Sequence, residues 1–266
     1  MIRSLIAALA LAAATIASPA LVGPAMAKTL TVGANVGNVP WEFQDDKGEI
    51  VGFEVELVKE IAKRLGYDDV QVENIPFNGL FSAVQSNRID VAVSSITITK
   101  KRLESVSFAQ PYYDSDQSLS VLASSGIKSQ ADLKGKVLGV DTGSTGDIYA
   151  TEHQKETGVS EIRRFEGLAP AMLDLGNGGI DGYISDIPAV AYYIKDKPQY
   201  AVVERIKTGE QYSMMFAKDS PLAAQASEAI SALKKEGFMS ALHKKWFGVD
   251  ADASTSTVAV AEMPKP

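Results

Sequence analysis

The sequence predicts an α/β fold with mostly parallel sheets, because short strand-like segments alternate with helix-like segments along most of its 266 residues. A weak internal repeat accompanies this alternation. The stretch 29–37 resembles 136–144, and 88–95 resembles 179–186; each is a strand that runs into a polar loop or finish. Chance similarity of strand ends would also explain the repeat. If it is genuine, two lobes face each other across a cleft, because open α/β sheets bind ligands at the carboxyl ends of their strands.

The individual elements follow from hydrophobic periodicity. A strand is expected at 29–34. Apolar residues then recur at helical spacing from Val58 to Leu65, and Gly66 stands where a helix C-cap prefers glycine. The elements expected after this helix are a strand at 70–74, a short helix at 80–85, strands at 91–93, 137–140, 161–165, 182–185, 201–203 and 212–217, and helices at 222–236 and 239–246.

Both ends of the chain are expected to lie outside the fold. Residues 1–27 predict a cleaved signal peptide, with Arg3, an apolar run at 5–17 that is too short for a permanent membrane span, and a small-x-small site at 25–27. The sequence has no cysteine, which excludes a lipidated cleavage point, a disulfide framework and a thiolate metal site. Export to a Gram-negative periplasm is the expected route. Residues 251–266 are small, polar and proline-ended, and predict a disordered tail.

Composition and motifs argue against several function classes. The net charge is −7, and −8 without the signal peptide, which disfavours nucleic acid and anionic lipid as partners. The two histidines, His153 and His243, are expected on exposed helix faces, and neither has metal-ligand spacing or a paired serine motif. The loop 142–147 lacks the Lys-Ser/Thr ending of a P-loop, so it predicts at most an anion site at a helix N-terminus.

The stretch SSITITKKR, residues 94–102, allows two interpretations. A buried strand ends here in four hydroxyl side chains, Ser94, Ser95, Thr97 and Thr99, and three cations follow, ending in Arg102. In one interpretation Thr99 caps a short helix that begins near residue 100. In the other, the hydroxyl and guanidinium donors form a pocket for a carboxylate. The local sequence favours the helix cap, and the carboxylate pocket remains the alternative interpretation.

Five longer motifs carry a family resemblance. They are VPWEFQDDKGEIVGFEVELVKEIAKRLG, FNGLFSAVQSNRIDVAVSSITITKKRLESVSFAQPYY, DLKGKVLGVDTGST, GNGGIDGYISDIPAVAYY and KKWFG. From about residue 28 to 249 the chain resembles the periplasmic solute-binding proteins of polar amino-acid ABC importers, family 3 of the bacterial extracellular solute-binding proteins. The resemblance implies a type II periplasmic-binding fold: two α/β lobes, two hinge strands and a ligand cleft between the lobes. It places lobe one at 28–114 plus 212–250 and lobe two at 115–211.

The resemblance also implies roles for individual residues. Arg102 would fork onto the α-carboxylate of the substrate, Ser144 and Thr145 would close on it from the second lobe, and Asp186 would take the α-ammonium. Phe77 matches an aromatic that packs against the ligand, although ordinary core packing would also explain it. The residues expected in the ligand site are Asn35, Asn38, Phe77, Ser94, Ser95, Thr97, Arg102, Ser144, Thr145 and Asp186.

Three departures from the family bear on selectivity. Family members often have an aspartate at the position of Asn35 and an aromatic residue at that of Asn38, and some carry a lysine at that of Asp141. Losing the aspartate removes one reason to favour a cationic side chain, whereas Asp141 argues against an acidic one. The site is therefore expected to suit a neutral polar or basic amino acid.

The sequence thus predicts a monomeric receptor that needs no cofactor or metal and whose partners are one small amino acid and a membrane ABC permease. The alternative is an enzyme on the same fold, a cyclohexadienyl dehydratase-like lyase. That chemistry needs a general acid in the cleft, and Asp141 or Asp147 could serve only if desolvated. Trp41 is expected to pack behind the first loop, and Asp90 and Asp181 are expected to be structural.

Overall fold

The computed structural model describes residues 27–266, so the predicted signal peptide, apart from Ala27, lies outside the described residues. The strands are β1 Thr29–Ala34, β2 Phe43–Gln44, β3 Ile50–Val51, β4 Asp69–Asn74, β5 Val91–Ala92, β6 Val106–Phe108, β7 Tyr113–Leu122, β8 Val137–Asp141, β9 Glu161–Phe165, β10 Gly182–Asp186, β11 Tyr200–Tyr212 and β12 Met215–Ala217. The helices are α1 Phe53–Arg64, α2 Phe77–Gln85, α3 Lys100–Leu103, α4 Thr145–Thr157, α5 Leu168–Gly176, α6 Ile187–Ile194, α7 Pro221–Lys235 and α8 Phe238–Phe247, with one 3₁₀ turn at Gln130–Asp132.

The strands form two five-stranded mixed sheets. The first has the order β4-β1-β5-β12-β6, and the second has the order β11-β7-β10-β8-β9. We call each sheet with its flanking helices a lobe, the first and the second. In both lobes three neighbouring strands are parallel, β4-β1-β5 in one and β9-β8-β10 in the other. The α/β class predicted from the sequence is confirmed. The expectation of mostly parallel sheets is wrong, because antiparallel strands, including the long pair β7 and β11, complete both sheets: among the described residues four strand pairings are parallel and five are antiparallel. The hairpin of β2 and β3 was not expected.

The internal repeat corresponds to equivalent positions in the two sheets. Asp90 accepts a hydrogen bond from the backbone N–H of Thr31 at 2.8 Å, and Asp181 accepts one from Val137 at 2.8 Å. Each carboxylate thus ties the start of one strand to the start of its parallel neighbour. The central strands share a further feature, because Gly33 in β1 and Gly139 in β8 each leave no room for a Cβ against the isoleucine that precedes the repeated aspartate. The repeat is therefore structural.

Two long antiparallel strands connect the lobes. Strand β7 pairs with β11 from Tyr113↔Tyr212 at the first lobe to Leu122↔Tyr200 at the second, with two register irregularities. The sequence had suggested separate strands at 201–203 and 212–217, whereas the structure has one strand, β11, followed by β12. The single strand could not be predicted from the polar residues between the two segments (ERIKTGEQ), because a strand that bridges two lobes has no single apolar face.

An aromatic cluster packs against the first-lobe end of these hinge strands. Trp41 is fully buried and makes edge contacts with Tyr113 and Tyr212, at centroid distances of 4.7 and 5.4 Å. This agrees with the expectation that Trp41 packs behind the first loop. His243 is 9% exposed and stacks on Tyr113 at 5.8 Å, so the expectation of an exposed helix face is wrong for this histidine. Its ring buries against the cluster because α8 turns this face toward Tyr113 and Phe247.

Residues 251–266 differ from the disordered tail that their composition suggested. The hydroxyl of Ser256 accepts a hydrogen bond from Gln211 at 2.7 Å, and its backbone N–H donates to Asp114 at 2.7 Å. Thr257 is buried and donates to the carbonyl of Tyr112 at 3.1 Å. The segment is ordered because its polar groups find fixed acceptors and donors on both hinge strands. Within residues 27–266 no helix is long and apolar enough to cross a membrane.

We predict that Ser256→Ala lowers the free energy of unfolding by about 1 kcal/mol, because Asp114 and Gln211 each lose a partly buried hydrogen bond. Urea unfolding followed by circular dichroism measures this. Ser254→Ala is the matched control, since the Ser254 hydroxyl contacts Asp252 on an exposed turn. Equal stability of the two variants would contradict a role for this segment in holding the hinge strands.

Candidate functional site

A cavity lies between the lobes, at the carboxyl ends of the parallel strands of both sheets. We call it the cleft cavity. Its walls include all ten residues expected from the sequence: Asn35, Asn38, Phe77, Ser94, Ser95, Thr97, Arg102, Ser144, Thr145 and Asp186. They also include Asp141, which the sequence connected with selectivity, and Gln117 and Glu166, which the sequence did not single out.

The structure confirms the cap interpretation of residues 94–102 and is compatible with the pocket interpretation. Thr99 caps α3, because its hydroxyl accepts the backbone N–H of Arg102 at 3.1 Å. The short helix in turn fixes the start of the Arg102 side chain. The guanidinium and the hydroxyls of Ser95 and Thr97 line the cleft cavity. A helix cap and a donor-rich wall are thus two parts of one arrangement.

Arg102 is a buried cation without an ion pair. Its side chain is 8% exposed, and its guanidinium donates to the carbonyls of Thr97 at 2.7 Å and Gly143 at 3.2 Å. The rings of Phe77 and Phe81 lie 5.4 and 5.1 Å from the guanidinium carbon, close enough for cation–π contact. Among residues 27–266 no carboxylate lies within salt-bridge distance of it.

Arg102 remains positively charged although it is buried. Desolvation lowers the pKa of Arg102 to about 10, opposed by the charges of Glu210 and Asp186. The guanidinium is therefore protonated at neutral pH and presents donors that a planar anion could accept in a bidentate manner.

Two hinge residues that sequence analysis missed form a network behind the cavity. Glu210 of β11 accepts hydrogen bonds from the hydroxyls of Thr97 at 2.6 Å and Thr145 at 2.9 Å. Gln117 of β7 donates to Glu210 at 3.0 Å and also to Asp186. One carboxylate thus ties a first-lobe hydroxyl to a second-lobe hydroxyl.

Asp186 is the acidic group of the cavity that faces this network. Burial and then the charge of Glu210 raise the pKa of Asp186 well above its ordinary value. A carboxyl with such a pKa is stabilised in its ionised form when a cation binds beside it. The site therefore offers a buried cation, Arg102, and a half-buried acid, Asp186, on the walls of one cavity.

Asp141 is a second acidic group of the cavity, and one of its carboxylate oxygens has no hydrogen-bond donor within residues 27–266. One carboxylate oxygen accepts the hydroxyl of Tyr183 at 2.7 Å, and the other is buried without a partner among the described residues. Burial raises the pKa of Asp141 to about 7, and the charge of Glu166 adds to the effect. A buried acceptor without a donor is costly, and a ligand donor would relieve the cost.

Three contacts join the lobes across the cavity. Besides the bond from Arg102 to Gly143, the amide of Asn35 donates to the carbonyl of Glu166 at 3.2 Å, and the hydroxyls of Thr97 and Thr145 lie 3.5 Å apart. The lobes are therefore closed on each other. The amide of Asn38, by contrast, donates within the first lobe, to Glu42 and to Ser95, both at 3.1 Å.

Ser144 plays a local role. Its hydroxyl accepts the backbone N–H of Asp147 at 3.0 Å and caps α4. Asp147 in turn accepts from the N–H of Gly143 at 3.0 Å and pairs with Arg164 at 2.9 Å. The loop 142–147 is thus fixed by its own capping bonds, and Asp147 is committed to a cation on its own lobe.

The chain resembles characterised proteins over most of its length. A model of the family described as "Bacterial extracellular solute-binding proteins, family 3" matches residues 30–249. An arginine-binding extracellular protein of Bacillus subtilis (strain 168) is 33% identical over 223 residues, which cover 83% of this chain and 86% of that protein. A histidine-binding periplasmic protein of Salmonella typhimurium is 31% identical over 236 residues, 85% of this chain and 90% of that protein.

Solved structures share the fold. The arginine-, lysine-, histidine-binding protein ArtJ of Geobacillus stearothermophilus superimposes with a TM-score of 0.79 at 35% identity, covering 85% of this chain and 98% of that one. An ancestral arginine-binding protein bound to arginine gives a TM-score of 0.79 at 34% identity, covering 84% and 100% of the two chains. The predicted two-lobed type II fold is confirmed by these likenesses.

We predict that Asp141→Asn removes a pH-dependent loss of stability. Because the folded pKa of Asp141 is raised to about 7, the native state of the wild type holds a proton that the unfolded state releases. Stability relative to Asp141→Asn should be highest below about pH 4, fall as the pH rises to about 7, and stay level above. Urea unfolding at pH 5 and pH 8 measures it, with the exposed Asp46→Asn as control. A difference that does not change with pH would show that Asp141 titrates normally.

Proposed function

The chain belongs to family 3 of the bacterial extracellular solute-binding proteins, and from this premise we propose that it is the periplasmic substrate-binding component of an ABC importer that closes its two lobes on one polar α-amino acid. The observation that carries the proposal is a cationic and an acidic group on the walls of the cleft cavity, the buried guanidinium of Arg102 and the half-buried carboxyl of Asp186.

An α-amino acid carries both of its charges on one carbon. Arg102 would take the carboxylate, because it is charged, buried and not neutralised by an ion pair within the described chain. Asp186 would take the ammonium, which would hold the carboxyl ionised. The hydroxyls of Thr97 and Thr145 flank this pair from opposite lobes, and Ser95 adds a donor on the first-lobe wall. Phe77 supports the guanidinium face and lines the cavity beside it.

We assign the side-chain end of the cavity to a basic amino acid. Asp141 offers a buried acceptor that nothing on the described chain satisfies, and Glu166 adds negative charge beside it. A guanidinium or ammonium would satisfy the acceptor and neutralise the charge, whereas an acidic side chain would be repelled. The relatives named for arginine, histidine and lysine support this assignment. Glutamine is the second candidate, since an ancestral arginine-binding protein has been solved with glutamine bound.

A lyase on this fold gains little support. Two acids were considered as the general acid. Asp147 is unsuited to it, because it forms an ion pair with Arg164 and accepts the N–H of Gly143. The relatives described above are named as binding proteins. Asp141 keeps a raised pKa, but the negative charge of Glu166 near it suits an acceptor for a cation. We therefore propose binding without catalysis, by a monomer that presents its closed form to a membrane permease.

Titration calorimetry with a panel of the common amino acids tests the function. We expect L-arginine or L-lysine to bind tightest and to be recovered unchanged, and Arg102→Ala to lose about 2–5 kcal/mol of binding free energy. Arg102→Lys should recover little, because an ammonium cannot fork onto a carboxylate. Loss of less than about threefold in Arg102→Ala, or conversion of the ligand, would overturn the proposal.

A second measurement tests the side-chain assignment. Asp141→Asn should weaken L-arginine about tenfold or more, the cost of one charge-assisted hydrogen bond, and should change L-glutamine by less than about threefold. Asp46→Asn, an exposed change of the same charge, is the control. Equal losses for both ligands would place Asp141 in support of the fold instead.

A further inference from the structure

Beneath the first-lobe wall of the cleft cavity lie two glutamates that neither the family roles nor the proposed ligand contacts use. Glu42 follows Trp41 in the first loop, and Glu54 lies in the first turn of α1. Both are fully buried, and they bond to adjacent residues of one turn: Glu42 accepts from the hydroxyl of Ser94, and Glu54 accepts from the backbone N–H of Ser95. We propose that they share a single proton, held by Glu42 and donated to an ionised Glu54, and that this pair positions the Ser94–Ser95 turn for ligand binding.

The surrounding charges require that one carboxyl be neutral. Among residues 27–266 neither glutamate forms a salt bridge, and the other titratable group in contact with the pair is the hydroxyl of Tyr112. Two buried carboxylates in contact without a cation cannot both ionise. Burial raises the pKa of both, that of Glu42 further, and it raises the pKa of Tyr112, so the phenol remains a donor.

The hydrogen bonds assign the proton to Glu42. Glu54 accepts the backbone N–H of Ser95 on both oxygens, at 2.9 and 3.0 Å, and also the hydroxyl of Tyr112. Its place in the first turn of the twelve-residue helix α1 further favours a negative charge. Glu42 accepts on one oxygen only, and its Oε2 is buried without any donor. That oxygen is the atom on which a proton completes the hydrogen bonding.

The pair reaches the cleft cavity through three of its lining residues. Ser94 donates to Glu42 at 2.7 Å, and Asn38 donates to Glu42 and to Ser95 at 3.1 Å. Ser95 has φ of 44°, a left-handed conformation that is strained for a residue other than glycine. Its N–H bonds to Glu54 hold it there. The side chains that face the ligand are therefore oriented by the pair below them.

Two near-isosteric variants separate this arrangement from a general structural role. Glu42→Gln can keep every bond, since its carbonyl accepts from Ser94 and Asn38 while its amide donates to Glu54 in place of the proton. Glu54→Gln cannot, because its amide donors would face the N–H of Ser95 or the hydroxyl of Tyr112. The proposal therefore predicts an asymmetry: with L-arginine as the probe, affinity changes less than about threefold in Glu42→Gln and falls more than about tenfold in Glu54→Gln. The exposed Glu49→Gln serves as control.

A ligand-free measurement supplies the second arm. A carboxyl whose folded pKa is raised destabilises the fold progressively as the pH rises toward that pKa, so the melting temperature of the wild type should fall relative to that of Glu42→Gln between pH 5 and pH 9. The slope from Asp141 is common to both proteins and cancels. A constant difference, equal losses in the two glutamine variants, or the reverse order would overturn the proposal.

This inference rests on the proposed function only in its binding arm. If the wild type does not bind L-arginine, the proposed ligand class fails while the melting arm still decides whether Glu42 holds a proton. If Glu54→Gln does not fold, the comparison of Glu42→Gln with the wild type still decides by itself.

Discussion

The buried guanidinium of Arg102 is the constraint on which the rest of the site depends. A cation without a carboxylate beside it is costly to remove from water, and this chain offsets part of the cost with two carbonyls and two aromatic faces. One of those carbonyls, that of Gly143, belongs to the opposite lobe. The charge is therefore best satisfied when the lobes are closed and an anion lies between them. If Arg102 binds the ligand carboxylate as proposed, ligand affinity and lobe closure depend on the same side chain.

The hinge strands connect the lobes and also supply side chains that hydrogen-bond to residues of the ligand site. Gln117 and Glu210 come from the two strands that connect the lobes, and together they bond to Thr97, Thr145 and Asp186. A rotation about these strands would alter the hydrogen bonds that orient the side chains above them. The energy of the hinge and the geometry of the ligand site are consequently not independent quantities.

Much of this arrangement could be predicted from the sequence, and its limits have physical causes. That Ser95, Ser144 and Asp186 line the cleft followed from the family resemblance, and the convergence of strand ends in open α/β sheets agrees with it. Gln117 and Glu210 were not, because alternation within a strand does not say which face meets another lobe. His243 was misjudged for a related reason: its burial depends on Tyr113 and Phe247, which only tertiary packing brings near.

Residues 251–266 lie beyond the part of the chain, 30–249, that matches the family, yet they contact both hinge strands without lining the cleft cavity. The ease of lobe closure and the choice of ligand can therefore be altered at different places in the chain. Substitutions around Ser256 and Thr257 could make closure easier or harder while leaving every ligand contact untouched. In evolutionary terms, the segment gives selection a way to retune the occupancy of the closed form, and hence uptake at a given nutrient concentration, without altering which nutrient is recognised.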